Sequence, residues 1–318
     1  MSENIETSNL KETSNNGKFK KMFHKEQIDY AKNDIKEVER NAKIAKIIIN
    51  ILVYIFLVFI AVIILFPFYW MINSSLKSLA EYKEPIPTFF PRSLKFGNYV
   101  DAFSTANLGI LFINTCYVGI ISTILSLVIT VLCAFAFARL EFKGKTLLFS
   151  GLLATMMIPG ELFTITNYAT VSAFGWKDTY TVLIVPFLVS VFYIYLLRQN
   201  FLQIPNELYL AAKVDGTSDM KYLLKVMIPL SMPTLVSITI LKMMGAWNTY
   251  IWPRLVTSSK AHHLITNGLR TAFKDNTDET NYPVQMAAVA LVSLPLFLVF
   301  IFLRKYIMAG VSRSGIKG

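Results

Sequence analysis

Cysteine and charged residues are both scarce in this sequence. Two of the 318 residues are cysteines and 16% are charged, whereas roughly a quarter of the residues of a soluble protein are charged. Cys116 and Cys133 fall in one apolar block, where a helix would hold them about 25 Å apart. That separation excludes a disulfide within the helix. The cysteines are therefore expected to be small apolar residues, without a disulfide framework.

Motifs for catalysis, cofactors and metals are also missing. Gly144-Lys145-Thr146 resembles the end of a phosphate-binding loop, but Arg139 stands where that loop needs its first glycine. His262 and His263 are adjacent and lack the spacing of a metal-binding histidine pair. We therefore expect no catalytic residue, no cofactor, no metal and no enzymatic activity in this chain.

Acidic residues are outnumbered by basic ones, so the formal net charge is +11. A basic protein can bind nucleic acid. Here, however, the lysines and arginines cluster at the ends of apolar blocks, where cations set the topology of membrane helices. Membrane lipid is therefore an expected partner and nucleic acid is not.

Long uncharged blocks are what the sequence has in abundance, and 54% of its residues are hydrophobic. A hydrocarbon core about 30 Å thick needs roughly 20 apolar residues in a helix. The blocks predict an all-α membrane protein with six transmembrane helices, at 47–72, 111–138, 146–168, 179–197, 226–250 and 284–303. A polar tail at 1–46, a connection at 73–110, a five-helix core at 111–308 and a carboxyl tail at 309–318 complete the predicted organisation.

The distribution of cations predicts the orientation. The amino-terminal tail, the 139–145 and 198–225 loops and the carboxyl tail carry dense positive charge, whereas the 169–178 loop carries only Lys177. The positive-inside rule therefore places both termini in the cytoplasm and the 73–110 connection outside.

Prolines fall inside several predicted spans, where they kink a helix. Two interpretations remain open, since kinks can serve packing alone or can line a translocation cavity. The residues are Pro159, Pro186, Pro229, Pro233 and Pro295.

The 199–225 segment predicts a helix–turn–helix on the cytoplasmic face, between the fourth and fifth spans. Pro205-Asn206 is a helix start signal, ELYLAAKVD follows as a short amphipathic helix, and Gly216 ends it before DMKYLLKVM. Ala211 and Ala212 expose bare backbone, which allows another protein to approach closely.

This segment resembles the EAA loop of bacterial binding-protein-dependent ABC importer permeases. Ala211, Ala212, Asp215 and Gly216 match that motif, and Ile228-Pro229 matches its distal end. Leu210 replaces the motif glutamate, and Glu207 matches the glutamate of a preceding Pro-x-Glu-Leu. The resemblance implies a loop that couples the permease to its ATPase, with the helical shape kept despite Leu210.

The resemblance covers residues 63–318 and is to the smaller permease subunit of maltose-type carbohydrate importers. It rests on FPFYWMINSSLK, AFAFARLEFKGK, MMIPGE, WNTYIWP and MAGVSRSGIKG, in family order. It implies a bacterial cytoplasmic-membrane permease that pairs with a second, related permease, an ABC ATPase dimer and an extracytoplasmic sugar-binding protein. Oligosaccharides are the implied substrates, although related permeases carry polyols. The implied ATPase contacts in the tail are Ser314, Gly315, Lys317 and Gly318.

Ionisable and aromatic residues in the spans are candidates for a substrate pathway. Glu161 and Lys242 should face protein or water, because a charge in lipid costs roughly 2.5–3.5 kcal/mol. Two interpretations remain open. Both residues line a polar cavity, or Lys242 extends its ammonium to the membrane interface while Glu161 makes a structural hydrogen bond. Trp247, Asn248, Tyr250 and Trp252 offer the ring faces and polar groups that bind sugars, or they belong to an interfacial aromatic belt.

Two rival functions remain. An ion-driven secondary transporter predicts inverted repeats and paired intramembrane carboxylates, and the sequence shows no repeat and a single intramembrane acid. A membrane assembly or sensor protein without transport activity would leave the helix–turn–helix unexplained.

Overall fold

The computed structural model describes residues 40–273 and 281–312, with side chains described as far as residue 304. These ranges contain helices and turns and no strand. The α-helices are α1 (Arg40–Ser75), α2 (Leu79–Tyr82), α3 (Gly97–Thr105), α4 (Leu108–Arg139), α5 (Lys145–Thr155), α6 (Thr164–Ala173), α7 (Tyr180–Ile184), α8 (Val191–Leu202), α9 (Asn206–Val214), α10 (Asp219–Tyr222), α11 (Ile228–Leu230), α12 (Met232–Asn248), α13 (Ile251–Val256), α14 (Ile265–Ala272) and α15 (Tyr282–Ser312).

The chain divides into two compact units between Tyr69 and Trp70. In the first unit, the described residues form the greater part of α1. Its apolar side chains are exposed on all faces, from Ile47 to Phe68. A helix that is apolar all round is stable in lipid or inside a large core, which agrees with the predicted first span.

Three helices are long and apolar enough to cross a membrane singly, namely α1, α4 and α15. Three further candidates are pairs of helical segments that meet at a sharp bend. They are Lys145–Thr155 with Gly160–Ala173 (86°), Tyr180–Phe187 with Val191–Leu202 (46°), and Asp219–Leu230 with Met232–Asn248 (80°). The described residues therefore hold up to six spans if each bent pair crosses once.

Four of the five predicted prolines lie at the bends, whereas Pro295 lies inside α15. Pro159 precedes the 3₁₀ turn Gly160–Phe163, and Pro186 lies within the 3₁₀ turn Val185–Phe187. Pro229 and Pro233 flank the bend between α11 and α12. A proline cannot donate the helical hydrogen bond and its ring crowds the preceding turn, so the apolar blocks 146–168, 179–197 and 226–250 fold as bent pairs and not as straight helices.

Helix α4 runs through the second unit and packs against three groups of buried side chains. Near its start, Leu108 and Leu111 pack with Val284 and Ala287 of α15. In the second group, Val118 packs with Val182 of α7 and Trp252 of α13. In the third group, Phe135 near the end of α4 packs with Phe201 of α8. Because all three groups include α4, this helix fixes where the ends of the other helices lie.

The predicted connection at 73–110 is ordered by buried polar contacts. The Glu81 carboxylate accepts hydrogen bonds from the Thr88 hydroxyl (2.8 Å) and the Arg92 backbone N–H (3.0 Å), and the Lys77 ammonium donates to the Thr88 carbonyl. Burial acts to raise the pKa of Glu81, but these hydrogen bonds and the nearby cations lower it overall. The carboxylate is thus the centre of a folded segment that includes α2.

Residues 1–39 of the predicted polar tail lie outside the described residues. So do the predicted ATPase contacts of the carboxyl tail, Ser314, Gly315, Lys317 and Gly318.

Candidate functional site

The helix–turn–helix predicted at 199–225 consists of α9, a tight turn and α10. Gly216 has a φ of +69°, a conformation that glycine adopts without the steric cost it imposes on other residues. The Gly216 N–H donates to the Lys213 carbonyl (3.0 Å) and the Thr217 N–H to the Ala212 carbonyl (2.8 Å). These two bonds form a Schellman motif, which ends α9 by satisfying its last carbonyl groups.

The two helices are joined across the turn by a shared carboxylate. Asp219 accepts a hydrogen bond from the Tyr209 hydroxyl (2.7 Å) and pairs with the Lys213 ammonium (2.6 Å). The hydrogen bond with Asp219 raises the pKa of Lys213. The Tyr209 ring also packs on Tyr222, with 5.1 Å between the centroids. Side chains from both helices thus fix the angle between them.

The inner side of the helix–turn–helix packs into the third group of buried side chains. Tyr222, Leu223 and Met227 are buried together with Phe135 of α4 and Phe201 of α8. The loop is therefore packed directly against the ends of α4 and α8.

Arg139, the last residue of α4, binds the chain that leads into α9. Its side chain is 7% exposed, and its Nη2 donates to the carbonyl groups of Phe201 (2.8 Å) and Ile204 (2.5 Å). Its Nη1 donates to the Asn206 side-chain oxygen at 3.3 Å. The guanidinium therefore connects the end of one transmembrane helix to the first residue of α9.

The outer side of α9 is exposed and largely apolar. Leu210 is 55% exposed and Val214 is 88% exposed. Of the residues predicted to couple to an ATPase, Ala212 is half-buried against the core. The exposed ones are Glu207, Leu210, Ala211, Asp215 and Gly216.

Pro229, the distal predicted residue of the loop, lies apart from α9. It is exposed on α11, directly after a π-helical turn at Leu223–Met227. A proline removes one helical hydrogen bond and crowds the carbonyl four residues earlier, and π turns are frequent where helical bonding is interrupted at functional sites. Pro229 thus belongs to the bend beneath the loop.

A cavity of about 370 Å³ lies among α4, α7, α8, α12 and α13. Lys242 is one of its lining residues, and its ammonium donates to the Phe187 carbonyl at 2.5 Å. Trp252 lines it as well, with its indole N–H donating to the Val182 carbonyl (2.9 Å). Tyr193 and Ser122 add hydroxyl groups.

The other predicted pathway residues lie elsewhere. Trp247 is buried with its ring 5.8 Å from that of Phe112, and Asn248 donates to the Met244 carbonyl within its own helix. Tyr250 precedes α13, and Glu161 is exposed on the 3₁₀ turn Gly160–Phe163. Among the described lining residues, Lys242 and Trp252 are the two that the sequence predicted as candidates.

Sequence reasoning missed Arg139, Tyr193 and Ser122 as site residues. The sequence indicates Arg139 only as a charge that closes a span, while Tyr193 and Ser122 are polar groups inside apolar blocks. Polar residues within a span tend to face the protein interior or a cavity, and that regularity could have selected them.

The opposite end of the second unit is held by a different set of polar contacts. Asp178 accepts hydrogen bonds from the backbone N–H groups of Ser258 and Ser259, both at 3.1 Å. Burial acts to raise the pKa of Asp178, but these bonds lower it overall. Asn114 of α4 accepts from the Tyr180 hydroxyl (2.7 Å). This end of α4 is thus tied to the 178–180 and 258–263 segments.

Apolar spans, a cavity with polar groups among them and a projecting helix–turn–helix define a multi-pass membrane protein of the permease class. The sequence profile of the family described as binding-protein-dependent transport system inner membrane component matches residues 39–313. The chain belongs to this family, and it is an inner-membrane permease of an ABC importer.

Similar proteins include permeases of several uptake systems. The arabinooligosaccharides transport system permease protein AraQ of Halalkalibacterium halodurans is 30% identical, over 82% of this chain and 94% of that protein. The diacetylchitobiose uptake system permease protein NgcG of Streptomyces coelicolor is 27% identical, over 80% and 84%.

A solved structure shows the same fold. The crystal structure of a bacterial ABC transporter involved in the import of the acidic polysaccharide alginate contains a chain with a TM-score of 0.75 and 23% identity. The match covers 81% of this chain and 96% of that one.

Proposed function

We propose that this permease transports a carbohydrate, in particular an oligosaccharide, delivered by an extracytoplasmic binding protein. Relatives named for arabinooligosaccharides and diacetylchitobiose support this substrate class, and one named for sn-glycerol-3-phosphate shows that the family extends to polyol phosphates. The cavity supports it as well, since ring faces and hydroxyl groups are the usual partners of a sugar.

The helix–turn–helix is the proposed ATPase-docking element, and the exposed apolar side of α9 is the observation that carries this proposal. Leu210 and Val214 would be buried by a partner, while the inner side of the loop stays in the core. Because Leu210 occupies the motif glutamate position, the partner surface opposite it should be apolar. Glu207 lies in the first turn of α9, where the helix dipole favours an acidic residue.

The proposed assembly has six spans per permease, both termini in the cytoplasm, a second related permease and an ATPase dimer. Nucleotide binding would favour one of two permease conformations, because a ligand shifts an equilibrium only by its differential affinity for the two states. The displacement of α9 would reach α4 through Arg139 and the buried side chains around Phe201. This chain itself needs no catalytic residue.

The test is co-purification of partners with tagged protein in a mild detergent, comparing Gly216→Val with Gly175→Val. Both glycines have positive φ, +69° and +68°, and a Cβ at either would meet no atom within 4 Å. The two variants therefore carry the same backbone strain, about 1–2 kcal/mol or more for a β-branched residue. They differ in place, because Gly216 ends α9 and Gly175 follows α6.

Gly216→Val should reduce ATPase recovery about tenfold, the ratio that corresponds to 1.4 kcal/mol, while Gly175→Val retains it. Equal recovery with both variants would argue against docking at α9. Recovery of the chain without an ATPase, together with uptake driven by an ion gradient in ATP-free vesicles, would favour the secondary transporter.

A further inference from the structure

The cavity lies near the middle of α4 along the helix axis. This helix has 32 residues, about 48 Å at 1.5 Å per residue. Ser122, a lining residue on α4, is about 21 Å from its Leu108 end on the same scale. The cavity therefore lies beside the central part of α4, and Lys242 reaches it from α12, six residues before that helix ends at Asn248.

Lys242 is the single charged residue among those described as lining this cavity. No aspartate or glutamate appears among the described lining residues, and the described partner of its ammonium is the Phe187 carbonyl. A carbonyl group supplies a hydrogen bond but no neutralising charge. An ammonium on an apolar span is costly unless it faces protein or water, and ionisable residues that face such cavities mark the path of a solute or ion.

The rest of the lining fits a saccharide. Tyr193, Ser122 and Thr249 carry hydroxyl groups, and the rings of Phe187 and Trp252 lie edge to face with 5.4 Å between their centroids. The volume of about 370 Å³ falls in the range of small-molecule sites. Rings, hydroxyl groups and one cation together match a sugar that carries an acid group.

We propose that the transported solute is an anionic carbohydrate, with Lys242 as the counter-charge for its carboxylate or phosphate group in the cavity. The proposal rests on the proposed function, since it names the substrate class of the same permease. Lysine binds both groups as a compact point charge, so the cavity accommodates a carboxylate and a phosphate group equally well.

The first measurement identifies the natural solute and needs no variant. The binding protein that delivers solute to it is purified from cells grown on mixed plant and microbial saccharides. Its bound solute is then released and its charge and composition are determined by mass spectrometry. A uronic acid or a sugar phosphate supports the proposal and tells the two acid groups apart. A neutral saccharide overturns it.

The second measurement follows ATP-driven uptake of the released solute in proteoliposomes that contain the complete importer. Lys242→Met keeps the length of the side chain and removes the charge, and it should lower kcat/KM at least roughly tenfold, as loss of a desolvated charge pair does. Lys242→Arg should restore most of it. Lys177→Met removes an exposed lysine outside the lining residues and should have no effect. Unchanged uptake with Lys242→Met overturns the proposal.

A third measurement covers the case in which Lys242→Met does not assemble. Gly245→Cys places a thiol on the cavity wall, since Gly245 lines the cavity and a Cβ there meets no atom within 4 Å. Cys116 and Cys133 are first replaced by alanine. With Lys242 intact, an anionic methanethiosulfonate should react several-fold faster than a cationic one of similar size, when each rate is divided by that reagent's rate with a free thiol in solution. Equal rates, or a faster cationic reagent, overturn the proposal.

These results are separable from failure of the proposed function. If no ATPase or binding protein assembles with the chain, the partners named in the proposed function are wrong, and this result is known before any solute is examined. If the importer assembles and moves a neutral saccharide, the proposed function stands and the counter-charge role of Lys242 fails.

Discussion

At the scale of single residues, Arg139 connects the end of α4 to the end of α8. It closes α4 and donates to the carbonyl groups of Phe201 and Ile204 at the end of α8. The Ile204 carbonyl lies beyond the end of α8, where it needs an external donor, and the Phe201 carbonyl accepts from the Ile204 N–H (3.3 Å) as well as from the guanidinium. The guanidinium meets that need with its planar set of donors, which lysine cannot reproduce.

We expect Arg139→Met to uncouple the permease from its ATPase. Loss of the guanidinium removes the described donor of the Ile204 carbonyl, at about 1–3 kcal/mol, and frees the start of α9. ATP-driven uptake should fall at least roughly tenfold, on the scale of 1.4 kcal/mol per decade. The measurement is uptake into proteoliposomes that contain the complete importer.

Arg139→Lys should recover only part of this uptake, since an ammonium cannot make the same set of bonds. Arg92→Met is the control, because Arg92 is an exposed residue whose side chain pairs with Glu84. Uptake that falls equally in Arg139→Met and Arg92→Met would contradict a specific role for Arg139.

At the scale of elements, α14 and α4 approach each other closely at Gly268. A Cβ on Gly268 would lie 2.3 Å from a methyl carbon of Leu111. Gly268 and Ile265 of α14 are buried, and the Ile265 N–H donates to the Thr115 hydroxyl (2.9 Å). The absence of a side chain at Gly268 is what allows the two helices to make this contact.

Gly268→Ala should therefore destabilise the protein by about 1–3 kcal/mol, the usual cost of overpacking. Gly151→Ala is the matched control, because Gly151 is also helical and a Cβ there meets no atom within 4 Å. That control should be neutral or slightly stabilising, as alanine favours a helix over glycine. Thermal unfolding in detergent measures both, and equal midpoints for the two variants would refute the close contact.

Bends are the second feature at this scale. The three bent pairs place interrupted backbone inside the apolar blocks, and the Phe187 carbonyl at one of them accepts from Lys242. Irregular backbone is tolerated at membrane depth where it faces protein or a cavity. The bend at Pro186 contacts α12 through the Phe187 carbonyl, and Phe187 also lines the cavity, so this proline is compatible with both interpretations.

At the scale of the whole molecule, the two ends of α4 carry different functions in the proposed assembly. The Arg139 end holds the helix–turn–helix, and the other end is tied through Asn114 to the 258–263 segment. From the distribution of lysine and arginine, we propose that the Arg139 end faces the cytoplasm.

A membrane-impermeant thiol reagent tests this orientation. With Cys116 and Cys133 replaced by alanine, Lys177→Cys should be labelled in intact spheroplasts, because its loop is proposed to be external. Lys143→Cys and Ser218→Cys should be labelled only after the membrane is opened. All three positions are exposed in the structure, so burial does not limit the reaction. Labelling of Lys143→Cys from outside would reverse the proposed topology.

Much of the architecture follows from the sequence, because its causes are local. Uncharged blocks longer than a bilayer is thick must be helical, since lipid offers no partner for backbone polar groups. The Asp215-Gly216 turn was equally predictable, because only glycine takes positive φ readily, and the structure places it at the end of α9. The bends were partly predictable, since prolines mark them.

The sequence by itself thus determined the class of the protein, its apolar blocks and the position of the helix–turn–helix. The tertiary structure decided which side chains meet. Arg139 with Phe201, Gly268 with Leu111, and Lys242 with Phe187 are each far apart along the chain. Hydropathy and turn chemistry act over a few residues, whereas these contacts depend on how whole helices pack, and packing is set by the shapes of many side chains at once.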